Sequence, residues 1–362
     1  MSITVGETLA GETAAAPRRY LWGPGADFLL LGGGSLLAFP DLLLLPADKV
    51  AAPLAAVMWM LINILNHPHF AHSYQIFYRG FGAKALSGTH APALRGRYIF
   101  AGIVVPLVLT AYLATALMSP NSRLLGFGGN LMAFFVGWHY VKQGYGMLMV
   151  DAALKTSFFS AIQKKVLLVN AYGVWVFSWL NANHQVKTTH LWGLDYYALP
   201  VPTPVLLIAG FAAALTTAAT LLVMGRAWKT LPWNGAVAYS VSLYTWLVFM
   251  RINPLWLLVI PAFHSLQYLA VVWRYQGSVE RAKPGDWRRG FVVFVASGLL
   301  LGFVGFWGLP NLMDAVIPYD HAVFGTTACL FAVWIFINIH HFFLDNVMWR
   351  RENPDIRTHL FS

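Results

Sequence analysis

Apolar residues run along this chain in long unbroken stretches separated by short polar breaks. The stretches fall near 26–45, 53–78, 98–118, 128–150, 166–182, 202–224, 235–250, 254–276, 291–309 and 322–348. A helix needs roughly 20 apolar residues to cross the hydrocarbon core of a bilayer. The pattern therefore predicts an all-α fold, a polytopic transmembrane helical bundle of about ten spans. Only Arg251, Ile252 and Asn253 separate the seventh and eighth stretches, which makes that hairpin tight. Residues 1–25, rich in Ala, Gly, Thr and Pro, read as a cytoplasmic tail with no cleavable signal peptide. Residues 26–348 read as one transmembrane domain and 349–362 as a second cytoplasmic tail.

Composition agrees with lipid as the solvent. The chain is 58% hydrophobic and 10% charged, against about 25% charged residues in a soluble domain. The net charge of +10 does not point to nucleic acid, because Lys and Arg lie between the apolar stretches. Their placement orients the chain. With a cytoplasmic N-terminus, nineteen fall on the cytoplasmic side: Arg18, Arg19, Arg79, Lys84, Arg95, Arg97, Lys155, Lys164, Lys165, Arg226, Lys229, Arg274, Arg281, Lys283, Arg288, Arg289, Arg350, Arg351 and Arg357. Four fall outside, Lys49, Arg123, Lys187 and Arg251, while Lys142 stays within a span. Positive charge is held on the cytoplasmic side during insertion, and nine or eleven spans would scramble this separation. The expected location is a bacterial inner membrane. The single cysteine, Cys329, excludes an intrachain disulfide and a thiolate metal site.

Twelve histidines are present. Seven fall inside the second, fourth, eighth and tenth spans: His67, His69, His72, His139, His264, His340 and His341. These four spans run in the same direction. At 1.5 Å per residue, His72 lies about 10 Å from Arg79 at the cytoplasmic end of its span, and His69 about 15 Å. His264 lies about 15 Å from Arg274, His341 about 13 Å from Arg350 and His139 about 18 Å from Asp151. Imidazoles from four helices thus share one layer, and ionisable groups at such depth face the bundle interior and pair with something.

Local spacing adds detail. His69 and His72 share a face, as do His139 and Gln143, His264 and Tyr268, and His341 and Asp345. His340 is turned about 100° from His341, and His67 leaves the His69/His72 face unless Pro68 distorts the turn. The predicted metal ligands are His69, His72, His139, His264, His340, His341 and Asp345, with His67 as a further candidate. Gln75, Gln143 and Gln267 are placed to orient them. Lys142 and Tyr268 are the candidate catalytic side chains, Lys142 as partner for an anionic group such as a substrate carboxylate or Asp345. HFAHSYQ (69–75) is similar to PAFHSLQ (261–267), and FFVGWHY (134–140) to FINIHHF (336–342), which suggests a parallel duplication of spans one to four in spans seven to ten.

Imidazole with one carboxylate and no thiolate suits iron, zinc or copper, and no methionine cluster favours copper. Five or more ligands fit a dinuclear site and four a mononuclear iron. Zinc would support a membrane hydrolase through an activated water. Haem held by facing histidine pairs would instead make an electron carrier. A transporter, or an accessory subunit of a larger membrane complex, needs no such chemistry.

Histidines spread over membrane helices and ending in the pair His340–His341 resemble the histidine-box non-haem iron enzymes. These include fatty-acid desaturases and hydroxylases, and the carotenoid-cleaving dioxygenases related to the bacteriorhodopsin-associated protein. HPHFAH supplies the HxxxxH spacing at His67 and His72, with no HxxHH after it; the PHG tripeptide of the dioxygenases is replaced by Pro68-His69-Phe70. The resemblance implies iron, dioxygen and a lipid or polyene substrate. It also implies, for the desaturase and hydroxylase class, an electron donor. The expectation is an oxygen-dependent oxidoreductase acting on a hydrophobic small molecule.

Overall fold

The computed structural model describes residues 19–88, 90–185, 190–191, 194–248, 255–350 and 352–361. Arg18, Lys187, the hairpin at Arg251–Asn253, Arg351 and most of the N-terminal tail lie outside them. The described residues are helical apart from connecting segments and one two-residue antiparallel pair, His190–Leu191 with Leu194–Asp195.

The main helices are α1 (Pro24–Leu30), α2 (Asp48–Tyr78), α3 (Pro92–Leu117), α4 (Arg123–Leu154), α5 (Ala161–Gln185), α6 (Thr203–Arg226), α7 (Trp233–Ser240), α8 (Trp256–Arg281), α9 (Trp287–Val316), α10 (Ala328–Met348) and α11 (Pro354–Leu360). Six contain a segment long and apolar enough to cross a membrane: α2, α3, α6, α8, α9 and α10. Their outer faces carry large apolar side chains in the open, such as Leu207, Ile208 and Phe211 on α6 and Val292, Leu300 and Phe303 on α9. Exposed apolar surface on that scale is what lipid covers in an integral membrane protein.

The other four predicted stretches are helical but differ from simple spans. The first is broken: α1 ends at Leu31, a 3₁₀ segment follows over Gly33–Ala38, and a short helix over Phe39–Leu44. Gly32 has φ +139°, which a side chain would strain, and a Cβ on Gly33 would lie 2.7 Å from the Phe28 carbonyl oxygen. α4 and α5 are long but carry polar residues through their length, among them Asn130, Lys142, Gln143, Asp151, Asn170 and Asn181. α7 gives way to a π-helical turn at Val241–Thr245.

Prolines account for most of the departures from regular helix. Wide π turns occupy Ile62–Asn66 in α2, Phe100–Val104 in α3 and Val304–Gly308 in α9. Each ends two residues before a proline, Pro68, Pro106 or Pro310. A proline ring clashes with the carbonyl four residues back, and an i→i+5 turn moves that carbonyl away. The kink expected at Pro68 is thus taken up ahead of it. Pro261 lies inside continuous helix.

Four helices form the centre. α10 packs on α2, α3, α4 and α9, and α8 packs on α2. Two-thirds of the apolar window is buried in α8 and in α10 (67% each), against 11% in α6, so the first two are core and the third faces lipid. α5 joins α4 to α6, and α7 covers α4. α9 crosses α2 closely where Gly298 and Gly302 remove side-chain bulk, a small-xxx-small contact. α11 lies against α8.

Candidate metal centre

α2, α4, α8 and α10 each send one imidazole to a common point. His69, His139, His264 and His341 are all buried, and one ring nitrogen from each lies within 4.8 Å of the other three. His341 Nε2 is 2.9 Å from His69 Nε2 and 3.2 Å from His139 Nε2. Asp345, one turn beyond His341, brings Oδ2 to 3.4 Å from His341 Nε2 and 3.7 Å from His139 Nε2.

These contacts test whether a cation fits. An imidazole nitrogen offers either one N–H or one lone pair along a single in-plane direction. His341 Nε2 has three polar neighbours at once, and no tautomer lets one proton satisfy all three. A cation among them would meet every lone pair together. Nitrogens about 2.1 Å from one ion stand roughly 3 to 4.2 Å apart, depending on the angle between them; the 2.9 and 3.2 Å separations lie at the short end of that range, and the 4.8 Å that bounds the set would have to close by about half an ångström for one ion to hold all four. The donor set fits a metal ion.

The surroundings fix these rings. His69 Nδ1 lies 3.3 Å from the Asn66 carbonyl oxygen and 3.2 Å from Ser265 Oγ, and the Ser265 hydroxyl donates to Asn66 Oδ1 (2.9 Å). Holding Nδ1 in this way aims Nε2 at the cluster, the usual role of partners behind a ligating histidine. Tyr268 donates its hydroxyl proton to Asp345 Oδ1 (3.0 Å), and its oxygen lies 2.6 Å from Ser73 Oγ and accepts from Trp349 Nε1 (3.3 Å). The carboxylate is thereby oriented with Oδ2 toward the imidazoles. Gln143 donates to the His264 carbonyl oxygen (3.0 Å) and to Gln267 Oε1 (2.7 Å), and Gln267 donates to the Leu31 carbonyl oxygen. These amides tie α4 to α8 and α8 to the end of α1. His341 Nδ1 and His264 Nδ1 are buried with no hydrogen-bond partner among the described residues.

Three predicted ligands lie elsewhere, for identifiable reasons. His72 turns toward α9: it stacks on Phe294 (4.3 Å), accepts from Trp273 Nε1 (3.4 Å) and pairs with Gln75 Oε1 (2.7 Å). A Cβ on Gly298 would be 2.2 Å from its ring, so the glycine makes its place. Gln75 also donates to Ser297 Oγ (2.7 Å), so it serves the α2–α9 contact and not the four-imidazole cluster. His67 stacks flat on Phe306 (4.1 Å), with neither nitrogen bonded among the described residues. His340 bridges Tyr74 Oη and the Ala101 carbonyl oxygen, 2.9 Å each, tying α10 to α2 and α3. The duplication aligns His72 with His264, yet the α2 member of the cluster is His69, one turn earlier. Only the His139–His341 pair of that alignment is in register within the cluster; the His72–His264 pair is not.

Asn66 and Trp349 complete the surroundings of the cluster and were not singled out in the sequence, nor was Tyr74, which holds His340. Asn66 precedes His69 by three residues and Trp349 follows Asp345 by four, so helical spacing from a known ligand would have found both.

The cluster lies between two cavities. A small one of about 40 Å³ is bounded by His139, His264 and His341 together with Phe70, Tyr140 and Trp334. A large one of about 750 Å³ reaches His139, Tyr268 and Asp345 at its inner end. Lys142 lines the large cavity, half-buried, with no ion pair among the described residues. No protein family, curated protein or solved structure is found to match this chain.

Proposed function

We propose that this protein is a membrane-embedded, iron-dependent oxidoreductase that uses dioxygen to modify a hydrophobic substrate. The observation that carries the reading is the convergence of His69, His139, His264 and His341 from four helices onto one buried point, with Asp345 beside them. Four imidazoles would close a tetrahedral zinc and leave no position for an activated water, whereas catalytic zinc keeps only three protein ligands. Octahedral iron retains open positions after four imidazoles, and open positions are what non-haem oxygen chemistry requires. A single ion is favoured, because one carboxylate cannot bridge and flank a metal pair. Haem is disfavoured: the rings pack edge to face, His69 on His341 at 4.4 Å and His139 on His341 at 4.7 Å, with no width for a macrocycle between them.

Bound there, iron would supply dioxygen activation. Asp345 is placed to accept or hold a proton at Oδ2, with Tyr268 and Ser73 fixing its orientation. The large cavity, mostly apolar in its lining, would bring substrate to His139 and Asp345. Desaturation or hydroxylation would also need an external electron donor, while dioxygenation would not.

The segregation of Lys and Arg further supports ten crossings with both termini cytoplasmic, as in a bacterial inner-membrane protein. Element analysis of purified, folded protein tests the metal reading. About one iron per chain is expected, falling below a tenth in His264→Ala or His341→Ala. A folded protein without metal, or with zinc in equal amount and turnover that needs no oxygen, would overturn it.

A further inference from the structure

The large cavity has a charge pattern that an oxidoreductase acting on neutral hydrocarbon does not need. Its walls are apolar for most of their extent, through Met149, Phe158, Val271, Phe342 and Leu360 among others. Four basic side chains also line it: Lys142, Lys164, Arg350 and Arg357. Among its lining residues the only acid is Asp345, at the inner end and held by Tyr268. Arg350 pairs with exposed Glu352 (3.4 Å). Lys142, Lys164 and Arg357 have no ion pair among the described residues. Lys142 and Lys164 are half-buried and Arg357 is exposed, so these side chains offer unpaired positive charge to an anion that enters the cavity.

We infer that this cavity binds a single-chain amphipathic anion, its head group between Lys164, Arg350 and Arg357 and its acyl chain running inward to the histidines. Arg350 follows His341 by nine residues and lies just past the end of α10 at Met348, a helix end about 10 Å from His341 along the axis. A chain anchored at the mouth therefore presents a mid-chain carbon to the cluster, not the carbons next to the head group. Lys142, one turn from His139, lies too deep to share the head group at the mouth. The inference rests on the oxidoreductase reading for its purpose, but not for the binding itself.

Two sources supply such an anion, a free fatty acid or a lysophospholipid, and one set of measurements separates them. Purified full-length protein in a non-ionic detergent is titrated with oleate, oleoyl lysophosphatidate and oleyl alcohol, and binding is followed by native mass spectrometry. Oleate or lysophosphatidate should bind at least tenfold more tightly than the alcohol, and the tighter of the two identifies the source. Lys164→Ala/Arg357→Ala should lose that preference while binding the alcohol as the wild type does, which also shows that the variant is folded. Equal binding of alcohol and anions, or an unchanged preference in the double variant, would overturn the inference. Repeating the titration with His264→Ala keeps the two readings apart. Oleate binding that survives there in metal-free protein supports the cavity assignment whatever the metal turns out to be.

Discussion

At the scale of single residues, hydrogen-bond and stacking partners, not burial, separate histidines that look alike in sequence. His72 and His340 sit in the same helices as cluster members, but each is already bonded, His72 to Gln75 and Trp273 and His340 to Tyr74 and Ala101. Substituting them should leave metal content intact. His72→Gln and His340→Gln are expected to keep about the wild-type metal per chain by element analysis, while His69→Gln loses it. Tyr268→Phe removes the donor that holds Asp345. Losing such an outer partner costs roughly 10–100-fold in metal affinity or activity, which a competition titration with a chelator would measure. Gly298→Val would press a branched side chain into the His72 ring, where even a Cβ comes within 2.2 Å. Overpacking of that kind costs about 1–3 kcal/mol, to be read as a lowered midpoint of thermal unfolding in detergent.

At the scale of elements, the π turns decide which face of α2 meets the core. Ile62–Asn66 adds a residue to one turn just before Pro68, and His69 follows directly. Were that segment regular helix, everything on one side of it would rotate by about 100° relative to the other. Pro68→Ala removes the reason for the wide turn. The variant should fold, judged by far-ultraviolet circular dichroism, yet bind metal at least tenfold more weakly. Pro310→Ala alters the corresponding turn in α9, away from the ligands, and should leave metal binding unchanged. Equal losses in both variants would show that the turn at Ile62–Asn66 has no special part in aiming His69.

At the scale of the whole molecule, orientation can be tested through the single cysteine. Cys329 is fully buried and gives little background to a thiol reagent. Asn121 and Ser160 are exposed in the loops at opposite ends of α4. With cytoplasmic termini, Asn121→Cys should react with a membrane-impermeant maleimide in intact cells, and Ser160→Cys only after lysis. The reverse result would invert the topology and place the mouth of the large cavity on the outer side.

Composition and the length of the apolar runs determined the all-helical, membrane-embedded nature of this protein without any coordinates, because lipid selects apolar runs by length. They also placed the histidines at one depth, since rise per residue is constant along a helix. Rotation was a different matter. Whether His69 or His72 faces the centre depends on a π turn, on a proline two residues beyond it and on Gly298 across the helix contact, and none of these acts through sequence spacing alone. The large cavity too exists only where residues distant in sequence, from α4, α5, α8, α10 and α11 and the segments beside them, meet. Local periodicity carries information along one helix; the angle between helices is set by what packs against them.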